Sequence, residues 1–176
     1  SLSRAGTCRA ARCTAQSSTR KKITYLSWSP DLDTGIPEID NQHKQLMDFI
    51  NRLHDARQHA DRQGVVAVVD DLVEYTLSHF AVEECLMEDA GYEFVRGHKK
   101  VHELFVRRVA SFSDRLKRGE DISHELHSLL HRWLFSHIRH DDHAYVAAVR
   151  PQMKTLSEDK AAGGWLSRSL KRFFGA

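Results

Sequence analysis

The chain has 176 residues, with three prolines, nine glycines, three cysteines and a formal charge of +2. That is the length of one ordinary domain, and 41% apolar with 28% charged residues suits a folded globular protein. No run of about 18 apolar residues exists, which excludes a membrane-spanning helix of ordinary length.

The charge is segregated. Residues 1–30 hold Arg4, Arg9, Arg12, Arg20, Lys21 and Lys22 with no acid, and residues 163–176 hold Arg168, Lys171 and Arg172 with no acid. Residues 31–162 therefore carry 17 basic against 24 acidic groups, a formal charge of −7. An acidic body argues against bulk nucleic-acid binding. Cys8, Cys13 and Cys85 make no disulfide framework, and no second ligand pair lies near the first two to build a structural zinc site. The outlier in composition is histidine: twelve residues, all between His43 and His143.

Residues 1–22 lack hydrophobic periodicity and the apolar run of a secretory signal. Their Arg- and Ser-rich, acid-free composition is that of a transit peptide, but the simpler reading is a disordered basic extension outside the folded protein. Residues 23–37, with Trp28, Pro30, Gly35 and Pro37, read as an extended arm with turns. Four amphipathic helices are predicted next. The first covers about 38–60 with the stripe Ile39, His43, Leu46, Ile50, Leu53. The second covers about 64–88, with Val65, Val69, Leu72, Thr76, His79, Glu83 and Leu86. The third covers about 94–118, with His98, His102, Phe105, Val109, Phe112 and Leu116, and the fourth about 121–148, with Ile122, Leu126, Leu129, Trp133 and His137. Short breaks at Gly64, Gly91 and Gly119 make consecutive helices antiparallel neighbours. The expected fold is all-α, an up-down-up-down antiparallel four-helix bundle over residues 23–155. Residues 156–176 are expected to form a linker and tail. Within it, residues 164–174 place Trp165, Leu166, Leu170, Phe173 and Phe174 opposite Arg168, Lys171 and Arg172. That segment reads as a short amphipathic helix for a membrane surface or a protein partner, or as one folded back on the bundle.

His43, His79, Glu83, His98, His102 and His137 all fall on the inward stripes. Polar groups in a core are costly unless paired. Two helices bring pairs four residues apart, which stand one turn above each other and can reach one ion from the same side. Imidazole suits iron, zinc, copper and nickel, and more than five ligands are too many for one structural zinc. Two metals bridged by carboxylates fit the set. His54, His59, His124, His127, His131, His140 and His143 lie beside or beyond the stripes and read as structural or solvated, with His54 and His131 partly buried. Cys85 stands about 200° from Glu83 on the second helix and reads as a packing residue.

In order, the motifs are His43, HFAVE from His79 to Glu83, HKKVH from His98 to His102, and HIRHDD from His137 to Asp142. The run from Trp28 to His43 and the WLFSHI run from Trp133 to Ile138, with Tyr145 three residues after Asp142, accompany them. Over residues 23–150 this set resembles the hemerythrin family, and within it the single-domain bacterial form. The resemblance implies a non-heme di-iron centre with a bridging oxo or hydroxo group. His98, His102 and His137 would hold one iron, His43 and His79 the other, and Glu83 and Asp142 would bridge them. One placement conflicts with ideal geometry: Asp142 is about 140° round an α-helix from His137, and Asp141 looks better aimed.

The implied ligand count gives one iron six partners and the other five, leaving one open position for a diatomic molecule. The resemblance implies reversible dioxygen binding there as hydroperoxide, for carriage, storage or delivery, rather than enzymatic turnover. Trp133, Leu134 and Ile138, within a turn of His137, would form a dry oxygen pocket. An oxygen or redox sensor acting through a partner or the tail, and a di-iron enzyme acting on peroxide or nitric oxide, are the competing readings. A cytoplasmic monomer with dioxygen as ligand and no nucleic-acid partner is expected.

Overall fold

The computed structural model describes residues 25–160, with side chains through Met153. The expectations for residues 1–22 and 164–174 lie outside the described residues.

Helix α1 spans Pro37–Gln58, α2 Arg62–Asp89, α3 Val95–Lys117 and α4 Ser123–Ser136. A π-helical turn, His137–Asp142, joins α4 to α5, His143–Lys160. The predicted fourth helix is thus one rod with a widened turn in its middle. Cross-helix pairs give the directions. Gln42 meets His79 while Arg52 meets Asp71; Glu84 meets His102 while Asp70 meets Ser113. Each pair of contacts runs antiparallel, and His43 against Asp142 with His54 against His127 does the same for α1 and the fourth rod. The bundle is up-down-up-down, as the short connections require.

The arm is fastened to the start of α1. Leu26 N–H donates to Asn51 Oδ1 at 2.7 Å, and Asn51 Nδ2 donates back to Leu26 O at 3.0 Å. Buried Asp40 accepts from the N–H and hydroxyl of Thr34 at 2.8 and 2.7 Å and from Gly35 N–H at 3.2 Å. Gly35 has φ +75°, a left-handed turn that glycine adopts without strain. Pro37 at the first helical position then starts α1 without losing a hydrogen bond.

One boundary and one helix face differ from expectation. Gly64 does not separate the first two helices but sits in the first turn of α2. The break falls at Ala60 (φ +51°), because the Asp61 side chain caps α2 by accepting from Gly64 N–H at 2.8 Å. The predicted stripes of α1, α2 and α3 are all buried. Of the fourth stripe, Ile122, Leu126 and His137 are buried but Leu129 and Trp133 are only half-buried, and Leu130, Leu134 and Ile138 complete the inner row. Steps of four advance about 40° each around a helix of 3.6 residues per turn, and the wide turn at His137–Asp142 absorbs that drift.

The core has two apolar parts. The larger holds Leu46, Ile50, Leu53, Leu72, Phe105, Leu130 and Leu134; the smaller holds Ile36, Ile39, Leu86, Met87, Tyr145 and Val149. Between them lies a layer of buried polar side chains.

Candidate metal centre

That layer is made of the seven residues the motifs single out: His43, His79, Glu83, His98, His102, His137 and Asp142, all at most 7% exposed. Each helix contributes at a stripe position where an apolar residue would otherwise pack. Glu83 lies one turn beyond His79 on α2, and His102 one turn beyond His98 on α3.

The groups form two sets. Ligand atoms of Glu83, His98, His102, His137 and Asp142 all lie within 4.8 Å of one another, and so do those of His43, His79 and Glu83. The histidines divide three and two, and both carboxylates reach across. Asp142 Oδ1 is 3.0 Å from His137 Nε2 and 3.4 Å from His98 Nε2, while its Oδ2 is 3.1 Å from His43 Nε2. Glu83 Oε2 is 3.3 Å from His102 Nε2 and 3.5 Å from His79 Nε2, and its Oε1 is 3.7 Å from His43 Nε2.

The π-helical turn explains how Asp142 gets there. Its i→i+5 hydrogen bonding stacks residues five apart, so Asp142 joins His137 on the inner face. Asp141 is turned to the flank. There its Oδ2 accepts from His137 Nδ1–H at 2.9 Å, from a position 40% exposed to solvent.

Outer partners orient three of the rings. His102 Nδ1–H donates to Glu84 Oε1 at 2.9 Å, His137 Nδ1–H to Asp141, and His79 Nδ1–H to Gln42 Oε1 at 2.7 Å. Such partners fix the tautomer and leave Nε2 free as a donor atom. Tyr145, fully buried, donates its hydroxyl hydrogen to Glu83 Oε1 at 2.6 Å. Gln42 and Glu84 are not singled out by periodicity, and Asp141 stands out there only as a rival to Asp142 for the inner face. Their signal is adjacency: each sits beside an inward-facing residue in the sequence, on the flank of its helix.

The electrostatics are those of a site made for cations. Burial alone would lower His43 and His137, but Asp142 with Glu83 raises His43 to about 9, and Asp142 with Asp141 raises His137 to about 10. Burial wins at His79, which falls to about 4, with Glu83 only partly opposing it. Burial works to raise both Glu83 and Asp142, yet the surrounding imidazoles hold both carboxyls below their ordinary range.

The residues fit a pair of metal ions. Six buried atoms here lack a hydrogen-bond partner: His43 Nδ1 and Nε2, His79 Nε2, Glu83 Oε2, and both Asp142 oxygens. Buried groups left unsatisfied cost about 1–3 kcal/mol each. His102 and His137 also bring their Nε2 atoms to 3.1 Å from each other, so a cation between them would be reached by both rings.

Next to the three-histidine set the walls are apolar. Trp133 stacks on His137 at 4.2 Å between ring centroids and on Phe105 at 3.6 Å, and Phe80 stacks on His102 at 3.6 Å. Trp133 and Leu134 line a narrow cavity of about 10 Å³ with Leu46, Ile50, Leu72, Thr76, Phe105 and Leu130. The Thr76 hydroxyl is tied to Leu72 O at 2.7 Å, so the cavity meets its methyl side. Ile138, the third expected pocket residue, is fully buried but does not line this cavity.

Residues 34–149 match the hemerythrin HHE cation binding domain. The bacteriohemerythrin of Pseudomonas aeruginosa strain LESB58 is 58% identical over 153 residues, covering 87% of this chain and all of that protein. The bacteriohemerythrin of Stenotrophomonas maltophilia is 50% identical over the same coverage. Among solved structures, a wild-type hemerythrin crystal structure is 27% identical with a TM-score of 0.68, covering 71% of this chain and 98% of that one.

Proposed function

The chain belongs to the hemerythrin family, and on that premise we propose that its buried polar layer holds two irons and binds dioxygen reversibly. The observation that carries the reading is the division of the histidines, three against two, with Glu83 and Asp142 reaching both sides. His98, His102 and His137 would hold one iron and His43 and His79 the other, with the two carboxylates as bridges. When bound, such a pair supplies two electrons to dioxygen and takes them back on release.

The chain's own residues do the rest. With two histidines against three, the His43–His79 side would supply one ligand fewer and so would be the side able to take a further small ligand. Leu46 and Thr76, about one helical turn from His43 and His79 respectively, line a small apolar cavity with Ile50, Leu72, Phe105, Leu130, Trp133 and Leu134, and apolar walls favour a small nonpolar gas over water. Tyr145 holds Glu83 in place, and Glu84, Asp141 and Gln42 hold three of the rings. Among the described residues no helix is long and apolar enough to cross a membrane.

The test is anaerobic reconstitution with ferrous iron, followed by absorbance spectra as oxygen is added and removed. Two irons per chain and a visible band that comes with oxygen and goes under argon, over several cycles, are expected. One irreversible oxidation step would overturn reversible binding. Fewer than two irons per chain would overturn the ligand assignment.

A further inference from the structure

The two histidine sets differ in more than number. On the three-histidine side, two of the three rings donate Nδ1–H to carboxylates: His102 to Glu84 at 2.9 Å and His137 to Asp141 at 2.9 Å. On the two-histidine side, His79 donates to the neutral amide of Gln42 at 2.7 Å, and His43 Nδ1 is buried with no hydrogen-bond partner. A carboxylate pulls the shared proton toward itself and makes the imidazole a stronger, more anionic donor at Nε2; an amide oxygen does this much less. Both carboxylates sit at the edge of the bundle. Asp141 is 40% exposed, and Glu84, 24% exposed, shares Lys99 at 3.5 Å, so solvent and that lysine moderate the effect. Neither Glu84 nor Asp141 lies among the seven inner groups.

We infer that Glu84 and Asp141 are positioning residues that make the three-histidine side the first to give up an electron, while Gln42 keeps the two-histidine side at the higher potential. The inference rests on the di-iron reading above. Its chemical content is a division of labour. The coordinatively complete side is biased toward the ferric state by two outer carboxylates. The side with the open position keeps the weaker donors. In a one-electron oxidation by an outer-sphere oxidant such as ferricyanide, the electron passes to the oxidant. The Nδ1 protons stay between ring and carboxylate, and no bond to either ring breaks.

The experiment compares the two one-electron midpoint potentials of reconstituted wild type, the double variant Glu84→Gln/Asp141→Asn, and Gln42→Glu, with electron paramagnetic resonance of the half-oxidised state. The amide replacements keep an acceptor oxygen for each ring, so orientation survives while charge is removed. The double variant is expected to raise the first potential more than the second. Outer partners of metal ligands typically change affinity about 10- to 100-fold, and a tenfold change in ferric preference is about 59 mV for one electron. Gln42→Glu is expected to lower the second potential and narrow the gap between the two, with a changed resonance signal as the half-oxidised state becomes shared.

Unmoved potentials in the double variant, or equal shifts of both potentials in Gln42→Glu, would overturn the inference. If the double variant loses iron, Gln42→Glu decides alone. Iron content separates the two levels of failure. Two irons with unmoved potentials remove only this inference, whereas fewer than two irons in the wild type remove the di-iron reading itself.

Discussion

Histidines gather at two places in this bundle. Eleven residues beyond His43 on α1, about 16 Å along the helix, His54 meets His127 and His131 of α4 around the ring of Tyr25. Tyr25 stacks on His54 at 4.2 Å and lies 4.9 and 6.0 Å from His127 and His131, while His54 and His127 are 5.3 Å apart. Ring spacings in the inner layer are the same: 4.9 Å for His43 and His79, 5.0 Å for His98 and His137. What differs is the company. The inner layer has Glu83 and Asp142 between its rings. His127 has burial, then Arg57, His54, His131 and His124, which all oppose protonation and lower it to about 4. Spacing and ring density therefore do not make a cation site; buried carboxylates aimed at the shared point do.

The sharpest way to break this contrast is to remove a carboxylate from the inner layer. Asp142→Asn is expected to reduce bound iron from two to one or fewer per chain, while Asp141→Asn retains two. Iron and protein assays on reconstituted samples check this, and equal losses in both would contradict the inward placement of Asp142. Trp133→Ala removes the stack on His137 and Phe105. It should cost about 3 kcal/mol in urea unfolding, as aromatic-to-alanine changes in cores do, and speed loss of the oxygen-dependent band in air. Tyr145→Phe loses a hydrogen bond to a charged group and should cost about 1.5–3 kcal/mol in unfolding of the metal-free protein.

At the other cluster the effects are smaller and concern stability. His127 takes up a proton less readily when folded, near pH 4, than when unfolded, near 6.5. Stability is then lost as pH falls through 6.5 and the loss levels off below about 4, amounting to about 1–2 kcal/mol once partial hydration is allowed for. Unfolding free energies of wild type and His127→Gln should diverge by about half of this amount between pH 7 and pH 5, with the wild type losing more. His54→Gln and His131→Gln should leave two irons per chain, the smallest effect of all.

Much of this was legible in the residues. The periodicity of α1, α2 and α3 predicts the faces that the structure buries, and those faces carry five of the seven inner groups. The fourth rod was harder. Its apolar residues at steps of four support two phases: Ile122, Leu126 and His137 face inward as the stripe predicts, but Leu129 and Trp133 do not. The inner row runs through Leu130 and Leu134 because the π-helical turn resets the register after it. Asp142 is the clearest case: ideal helix geometry favours Asp141, and only the widened turn brings its neighbour inward.

The sequence by itself determined the bundle, the inward phase of three helices and the chemistry of the layer. Periodicity is a local property, and each helix buries its own apolar face wherever its partners lie. Tertiary structure alone decided which residues stand behind that layer. Gln42 with His79, Glu84 with His102 and Tyr145 with Glu83 join positions 37, 18 and 62 apart in the chain. Those pairings depend on how helices cross and at what height, and a flanking polar residue looks like any solvated one until the neighbouring helix is in place.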